Sequence, residues 1–344
     1  MRATIRDVAK EAQVSVATVS RVLNEVAVVQ DETRKRVLKA IKECGYTYNA
    51  IAGSLSTRKS VTIGVIVPAI TNPIFAQSTR GIQEVSNAHG YSILLGNSDY
   101  SYRSEDRLIE VFKEKRVEGI IFTCSNIHHP YIKRLKQSHF PFVLLYNTLF
   151  DKEINFVSID NYRAAYEITD YLVGLGHRRI GIIAGFFKLS DRSLARWKGF
   201  RDCLKGRRIA YLPELLVETD LTFEGGRRAM QALLKVNPPL TGVFCSNDFI
   251  AMGGMKALRE KRFEIPRDIS IAGFDDIEMA SYFDPGLTTI HQPAYQMGRK
   301  AAELLLGILS GALKSPQQVL LKHQLIIRNS CGPASEHPNG TKRR

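Results

Sequence analysis

Side chains that can bind a small polar ligand recur just after the apolar runs in the long second part of the chain. Acidic, basic, amide and aromatic types are all represented, in Asn72, Phe75, Arg192, Arg196, Phe223, Asn247, Asp275 and Gln292. A carboxylate accepts hydrogen bonds from two hydroxyl groups, whereas Arg and Asn side chains donate or bridge. This chemistry suits a small polyol or a heterocycle.

Some of these side chains also have a structural interpretation. Asp275 could cap a strand end or pair with an arginine, and Phe223 could equally belong to the hydrophobic core. Asp99, Asp248 and Asp276 follow strands as well, and for these three a structural role is favoured. The two interpretations make different predictions about which side chains meet in the fold.

The sequence lacks the motifs of common catalytic sites. No GxGxxG follows a strand, and GxSxG, GxxxxGK[ST] and HExxH do not occur. Adjacent Asp275 and Asp276 would point to opposite faces of a strand and could not act as a pair. The five cysteines are scattered without a CxxC pair, which favours neither a disulfide scaffold nor a zinc site. We therefore expect no enzymatic activity, no cofactor and no metal.

Strands that alternate with helices must position the ligand-binding side chains. Continuous apolar runs, each followed by a helical pattern, include VTIGVIV at 61–67, YSILLGN at 91–97, IGIIAG at 180–185 and GVFCS at 242–246. They predict parallel sheets covered on both faces, in two series that divide near residue 160. Ligands bind at the carboxyl ends of strands in such sheets, so one cleft should collect the side chains. A helix at 294–309 and a last strand pair at 318–328 follow.

The first 60 residues differ from the rest in charge and in pattern. They hold 11 Lys and Arg against 6 Asp and Glu, more than twice the net charge per residue of the remaining chain. This excess suggests an anionic polymer as partner. The hydrophobic spacing predicts three short helices, the second capped by Ser15 and the third, about 31–44, with Val37, Leu38, Ile41 and Cys44 facing inward.

The segment TIRDVAKEAQVSVATVSRVLN, from Thr4 to Asn24, resembles the helix-turn-helix of the LacI/GalR family of bacterial transcription regulators. The order of Asp7-Val8-Ala9, Val14-Ser15 and Thr18 to Val22 matches the family motif, although Gln13 stands where many members have Gly. The resemblance extends over residues 3–330. It implies an α/β fold with a three-helix head, a hinge helix and a two-subdomain core of parallel sheets like that of periplasmic binding proteins.

In this family the second helix lies in the major groove of DNA, so its exposed side chains should contact the operator. Arg21 can donate two hydrogen bonds to guanine, and Val16 and Ala17 can contact thymine methyl groups or simply form ordinary helix surface. Four short polar side chains suit phosphate contacts: Ser15, Thr18, Ser20 and Asn24. We add Thr4, Asn49 and Ala52 to the predicted DNA contacts.

The segment YTYNAIAGSLS at 46–56 resembles the family's hinge, with Tyr48 in place of Pro and Gly53 in place of Arg. Leu55 keeps the leucine position. The resemblance implies that paired hinge helices insert this leucine into the minor groove and kink the DNA. Gly53 weakens the helix by roughly 1 kcal/mol relative to Ala, so we expect the hinge to order only on DNA.

The resemblance also implies roles for cleft residues. Arg196, Asn247 and Asp275 match effector-binding positions of the family, and Phe75 matches an aromatic residue that often stacks on the ligand. Tyr146 stands where sugar-responsive members often carry Asp, which argues against a simple hexose as effector. The identity of the effector, and whether it induces or co-represses, cannot be derived from these residues.

We divide the chain into four segments: a helix-turn-helix head (1–48), a hinge (49–60), an effector-binding and dimerisation core (61–328) and a disordered tail (329–344). In the core, the first subdomain comprises about 61–160 with 292–315, and the second about 161–290 with 316–328. The resemblance implies that tetramers need a C-terminal helix with a leucine heptad. The tail offers none, so we predict a homodimer rather than a tetramer.

The predicted function is that of a sequence-specific DNA-binding regulator, most simply a repressor, controlled by a small effector such as a carbohydrate. Its partners would be a near-palindromic double-stranded operator, the effector and a second copy of the chain, without a membrane. The expected location is the bacterial cytoplasm, at the nucleoid. The alternative is a solute-binding protein of the transport type, which the helix-turn-helix pattern disfavours.

Overall fold

The computed structural model describes residues 3–23, 29–46, 60–148, 151–237 and 239–334. The chain separates into two compact units, residues 1–60 and residues 61–344, called here the head and the body. Each is described by itself. The α/β fold class predicted from the sequence is confirmed.

Three short helices form the described part of the head: α1 (Ile5–Glu11), α2 (Val16–Leu23) and α3 (Asp31–Glu43). They bury one small apolar cluster that includes Val8, Val19, Val22 and Val37. The prediction that Leu38 faces inward is wrong, because its side chain is 53% exposed. The buried side of α3 instead follows Val37 and Ala40, three residues apart, and Leu38 lies about 100° around the helix from Val37.

Local hydrogen bonds hold the turn between α1 and α2. The backbone N–H of Thr18 donates to the Ser15 hydroxyl at 3.1 Å, so Ser15 caps α2 as predicted. Gln13, in the turn, has a φ of 52°. A glycine would adopt this left-handed conformation without strain, which is a physical reason for the glycine that many family members have here. Gln13 adopts the same conformation as a non-glycine residue.

Six strands of the described body form the first sheet, and all of its pairings are parallel. In spatial order they are β11 (Gln318–Leu321), β5 (Phe156–Ile159), β4 (Phe142–Leu145), β3 (Ile120–Phe122), β1 (Thr62–Val67) and β2 (Ser92–Asn97). The helices that accompany them are α4 (Pro73–Ala88), α5 (Tyr102–Glu114), α6 (Pro130–Gln137) and α12 (Ala294–Leu309). Apart from β2 and β11, the strands are apolar and almost wholly buried, as expected for a sheet covered on both faces.

The second sheet is also parallel, with the described strands in the order β7 (Leu216–Thr219), β6 (Ile180–Gly185), β8 (Gly242–Cys245) and β9 (Ser270–Ala272). The helices of this half are α7 (Asn161–Gly174), α8 (Asp191–Gly206), α9 (Phe223–Leu233), α10 (Asp248–Glu260) and the short α11 (Met279–Tyr282). The sequence pattern predicted all of these elements except α11, which is too short to show a period.

Two strands form within 318–328, as predicted, but they do not pair with each other, and assigning all of 316–328 to the second subdomain is wrong. β11 pairs with β5 in the first sheet. β12 (Gln324–Ile326) pairs antiparallel with β10 (Thr289–His291), the crossover strand. Only two residues separate β11 from β12, so their closeness in sequence predicts a pair, although each strand completes a different part of the body.

The prediction of a disordered tail from residue 329 onward is wrong for residues 329–334, and residues 335–344 lie outside the described part. The Ile271 N–H donates to the Ser330 carbonyl at 2.9 Å, and the Ser330 hydroxyl donates to the Ile271 carbonyl at 2.6 Å. Ser330 and Cys331 are buried. This segment supplies hydrogen-bond partners to the edge strand β9, which would otherwise leave buried backbone groups unpaired.

Candidate functional site

A small cavity of about 30 Å³, called here the inner cavity, lies where strands of both sheets end. Seven of the eight predicted ligand-binding residues line it: Asn72, Phe75, Arg192, Arg196, Asn247, Asp275 and Gln292. Ile74, Tyr100, Tyr146, Ser190, Ser193 and Leu221 complete the lining. The eighth, Phe223, lies elsewhere. The structure thus brings together residues up to 220 positions apart in sequence, as the parallel-sheet argument predicted.

Helix N-termini position several of these polar side chains. The Asn72 carboxamide oxygen caps α4 by accepting from the Ile74 N–H at 3.1 Å, and that of Asn247 caps α10 by accepting from the Ile250 N–H at 2.8 Å. Arg192 and Arg196 are four residues apart in α8 and therefore share a helix face. The polar groups are held by rigid elements, so the cavity is largely preformed.

Asp275 occupies the loop after β9 with a φ of 117°. Its carboxylate accepts a hydrogen bond from the Gln292 side-chain nitrogen at 2.7 Å, and the Arg196 Nη1 atom is 3.9 Å away. Burial raises the pKa of Asp275 to about 6, although Arg196 and the hydrogen-bond donors oppose the shift. The carboxylate is therefore a buried, partly compensated acceptor, and both its pairing with arginine and its place in the cavity agree with the sequence interpretations.

Hydrogen bonds and a ring contact fix the buried side chain of Arg196. Its Nε atom donates to the Asn161 carboxamide oxygen at 2.9 Å, and the guanidinium carbon lies 3.5 Å from the centre of the Phe274 ring. Burial lowers its pKa to about 10, with Asp275 opposing the shift, so the guanidinium stays charged at neutral pH. Stacking and hydrogen bonding fix this charge at one place in the cavity wall.

Two buried polar atoms of the cavity residues lack hydrogen-bond partners within the described residues: Arg192 Nη2, a donor, and Gln292 Oε1, an acceptor. The other terminal nitrogen of Arg192, Nη1, donates to the Cys124 carbonyl at 3.3 Å and to Asp191 at 3.2 Å. An unpaired buried polar group costs about 1–3 kcal/mol. A ligand with both hydroxyl donors and acceptors would satisfy both atoms.

Tyr146 and Phe75 form the apolar wall of the inner cavity. Their rings meet edge to face with centroids 5.4 Å apart, and the Tyr146 hydroxyl donates to the Ile74 carbonyl at 2.9 Å. The sequence argument did not select Tyr100, Ser190, Ser193 or Leu221. Tyr100 and Leu221 follow strands β2 and β7, so applying the strand-end rule to every strand would have found them.

Phe223 lines a second, larger cavity of about 570 Å³, called here the outer cavity. Asn72, Tyr100, Ser190 and Leu221 line both cavities, so the two adjoin. The Phe223 ring stacks on Phe249 with centroids 4.2 Å apart. Asp99, for which a structural role was favoured, also lines the outer cavity.

Asp248 and Asp276 have the structural surroundings that were favoured for them. Buried Asp248 accepts from the Thr289 hydroxyl at 2.6 Å and from the Ile277 N–H at 2.9 Å. Asp276 accepts from Arg328 at 2.7 Å and lies 2.9 Å from His291 Nδ1. Neither residue lines the inner or the outer cavity.

Hydrogen bonds join the two halves of the body beside the inner cavity. Asp191, at the start of α8, accepts from the side-chain nitrogen of Asn147, in the segment after β4, at 2.7 Å. Arg192 donates to the Cys124 carbonyl after β3. These links place a cavity residue, Arg192, directly in the contact between the halves.

The predicted DNA-binding side chains of α2 lie mainly on its outer surface. Val16, Ala17 and Arg21 are exposed, whereas Thr18 and Ser20 are half-buried. Ser15 and Thr18 share a hydroxyl–hydroxyl hydrogen bond of 2.9 Å, and the Thr4 hydroxyl donates to Asp7 at 2.8 Å. The other four predicted contacts lie outside the described residues: Asn24, Asn49, Ala52 and Leu55.

Comparisons with known proteins give the same two-part division. A family model described as bacterial regulatory proteins of the lacI family matches residues 4–49, and one described as a periplasmic binding protein-like domain matches residues 169–331. The HTH-type transcriptional regulator RegA of Clostridium saccharobutylicum is 37% identical over 330 residues, 96% of this chain and 99% of its own.

The chain belongs to the LacI family.

Solved structures of transcriptional regulators share the fold over nearly the whole chain. The lac repressor dimer bound to operator and the anti-inducer ONPF matches with a TM-score of 0.87 at 26% identity, covering 96% of this chain and 100% of that one. The complex of the transcriptional regulator CelR with cellobiose matches with a TM-score of 0.73 at 28% identity, with the same coverage. This LacI-family protein is a DNA-binding transcriptional regulator, and the transport-type alternative is not supported.

Two negative findings concern the part of the chain that the structure describes. No helix there is both long and apolar enough to cross a membrane. Among the same residues, no three His, Cys, Asp or Glu side chains form a group suited to a metal ion.

Proposed function

We propose that this LacI-family protein is a homodimeric repressor of a near-palindromic operator, and that a small neutral effector rich in hydroxyl groups binds the inner cavity. The observation that carries the effector class is the buried carboxylate of Asp275, held between Arg196 and Gln292. Such a group accepts from ligand hydroxyls, while Arg192 Nη2 and Gln292 Oε1 supply a donor and an acceptor.

Operator recognition rests on α2. Its exposed residues Val16, Ala17 and Arg21 are available for base edges, with Arg21 suited to guanine O6 and N7. Ser15 caps α2 and shares a hydroxyl–hydroxyl hydrogen bond with Thr18. With Thr18 as the donor of that bond, the Ser15 hydroxyl keeps its own hydrogen for a phosphate oxygen. Two heads related by two-fold symmetry read two half-sites, which is why we propose a near-palindromic operator.

Effector control follows from a cavity with walls from both halves of the body. Asn72 and Phe75 belong to the first half, and Arg196, Asn247 and Asp275 to the second. A ligand that bonds to both walls stabilises one relative arrangement of the halves. In the arrangement described here, the Asp191–Asn147 hydrogen bond also joins the two halves. The effector then changes operator affinity by its differential affinity for the two arrangements.

The relatives support these finer statements. The lac repressor structure contains a dimer on its operator, and the CelR structure contains cellobiose, a carbohydrate. The exposed side of α2, with Val16, Ala17 and Arg21, and the buried polar cavity are the corresponding features in this chain. Sedimentation of the full chain should give a dimer, and a stable tetramer would contradict the proposal.

The test of the effector site compares neighbouring carboxylates. A thermal-shift screen of sugars and related metabolites on the full chain identifies the effector, because a ligand stabilises the folded state by RT ln(1 + [L]/Kd). Asp275→Asn should then abolish the operator response while basal operator binding persists. Asp276→Asn is the matched control, since Asp276 lies outside both cavities, and it should respond normally. Unchanged effector affinity in Asp275→Asn would refute the site.

A further inference from the structure

The outer cavity adjoins the inner cavity and differs from it in volume and in the polarity of its lining. Its volume is about 570 Å³ against about 30 Å³, and most of its wall is apolar. We propose that the effector is a neutral molecule that joins a hydroxyl-bearing group to a planar ring, with the ring in the outer cavity. This inference rests on the proposed function and specifies the ligand class of the same site.

Volume sets the first constraint. A cavity of about 30 Å³ corresponds to roughly one or two water molecules, so it admits only the hydroxylated edge of a ligand. The remainder must lie in the adjoining space, which shares Asn72, Tyr100, Ser190 and Leu221 with the inner cavity. The outer volume falls within the range of about 300–1,000 Å³ that small-molecule sites occupy.

The aromatic lining sets the second constraint. Phe223 stacks on Phe249, yet 41% of Phe223 remains exposed, and Phe186 on the same cavity is 45% exposed. Leaving two phenyl rings partly in water is unfavourable, and a planar ligand ring would cover them. Offset stacking or edge contacts with such rings add about 0.5–1.5 kcal/mol beyond the area buried.

Charge sets the third constraint. The ionisable side chains lining the outer cavity, among the described residues, are Asp99, Asp220 and Tyr100, and neither Lys nor Arg is among them. Hydrogen bonds from Thr222 and its neighbours lower the pKa of Asp220, which is therefore ionised at neutral pH. In the inner cavity Arg192 and Arg196 already face Asp191 and Asp275. Arg228, which does not line the outer cavity, is already paired with Asp220 at 2.7 Å. A phosphorylated ligand would therefore find no free cationic side chain on the outer wall, and Asp99 would repel it, so the neutral form is favoured.

Calorimetric titration of the full chain tests this class with paired probes. Adenosine, cytidine and uridine are each compared with ribose, and phenyl β-D-glucoside and phenyl β-D-galactoside with the corresponding methyl glycosides. We expect at least one ringed probe to bind about tenfold or more tightly than its ringless fragment. Adenosine 5′-monophosphate, cytidine 5′-monophosphate and phenyl glucoside 6-phosphate should each bind about tenfold more weakly than the neutral parent. The nucleoside and glycoside arms show which source of the planar ring the site selects.

Variants separate this inference from the proposed function. Phe223→Ala should lower affinity for the preferred ringed probe about tenfold and leave its fragment unchanged. Phe140→Ala removes a partly buried ring that lines neither cavity, and it should change neither affinity. If ringed probes and fragments bind equally, or if none of the ringed probes binds, the inference is overturned. If Asp275→Asn still abolishes binding of the fragments, the proposed function survives that result; if Asp275→Asn leaves all affinities unchanged, the proposed function fails as well.

Discussion

The head and the inner cavity place their functional side chains in opposite environments. Val16, Ala17 and Arg21 of the head are exposed, whereas Arg196 and Asp275 of the body are buried and bonded to neighbouring groups. A surface that reads an external polymer can be altered without disturbing the packing beneath it. A cavity that senses a small molecule is part of the packing, so its residues affect both binding and stability.

Loss of the buried guanidinium should have the largest effect. Arg196→Ala leaves the Asp275 carboxylate without its cationic partner and opens space beside Phe274, so we expect about 3–5 kcal/mol lower stability as well as loss of the effector response. Chemical denaturation of the full chain measures the change. Arg201→Ala is the control on the same helix, because the Arg201 side chain is 41% exposed, pairs with Asp202 and lies over the Trp197 ring. The free energy of unfolding of Arg201→Ala should fall by less than about 1 kcal/mol. Equal losses in the two variants would show that the buried guanidinium contributes no more to stability than the exposed one.

Loss of the exposed Arg21 guanidinium should change operator binding and leave the stability of the body unchanged. Arg21→Ala should cost about 1–3 kcal/mol at one operator base pair and relax the preference there, while the melting temperature of the body stays unchanged. Gel-shift titrations over operator variants measure both. Lys39→Ala, on the exposed side of α3, should show no base-specific loss. A uniform loss across all operators in Arg21→Ala would mean that Arg21 contacts only phosphate.

The pH dependence of effector affinity tests whether the buried carboxylate accepts ligand hydroxyls. The pKa of Asp275 is raised to about 6 in the free protein, and hydroxyl donors favour the ionised form. Affinity should therefore be full above that pKa and fall about tenfold between about pH 7.5 and about pH 5. Calorimetry over this range gives the profile.

Two neighbouring carboxylates serve as controls for that profile. Burial also raises the pKa of Asp191, so Asp191→Asn shows whether that group contributes to the titration. In Asp276→Asn the midpoint should stay in place. A rise in affinity on acidification would mean that the ligand binds the protonated carboxyl instead.

The smallest effect should come from the backbone of the head. Gln13 adopts a φ of 52°, so Gln13→Gly removes local strain while it adds freedom to the unfolded chain. We expect a net gain below about 1 kcal/mol. Hydrogen exchange of the α1 and α2 amides in the full chain measures it. Slower exchange is the expected result, and faster exchange would show that the glutamine side chain stabilises the turn.

Local patterns predicted the head and the order of elements in the body. The caps, the hydrophobic spacing of α1 to α3 and the alternation of strands and helices depend on neighbouring residues, so the sequence displays them directly. The strand-end rule also brought Asn72, Asn247 and Asp275 to one cavity. Whether these residues bind an effector stays a prediction.

Long-range pairing explains what the sequence could not predict. β11 joins β5 rather than β12, and Ser330 bonds beside β9 although the tail is rich in Gly and Pro. Leu38 illustrates the same limit on a smaller scale, because only the partner helices decide which side of α3 is covered. The separation of Phe223 from the other seven residues depends on the shape of the loops, which residue types do not specify.

The late positions of β11 and Ser330 in the chain also determine which parts of the protein can be completed first during synthesis on the ribosome. The contacts of the head lie within its first 46 residues, so its helices can pack early in synthesis. The first sheet lacks its edge strand until residues 318–321 have emerged, and Ile271 of β9 lacks its hydrogen bonds to Ser330 until residue 330 has emerged. The three helices of the head can therefore pack before either sheet of the body is complete.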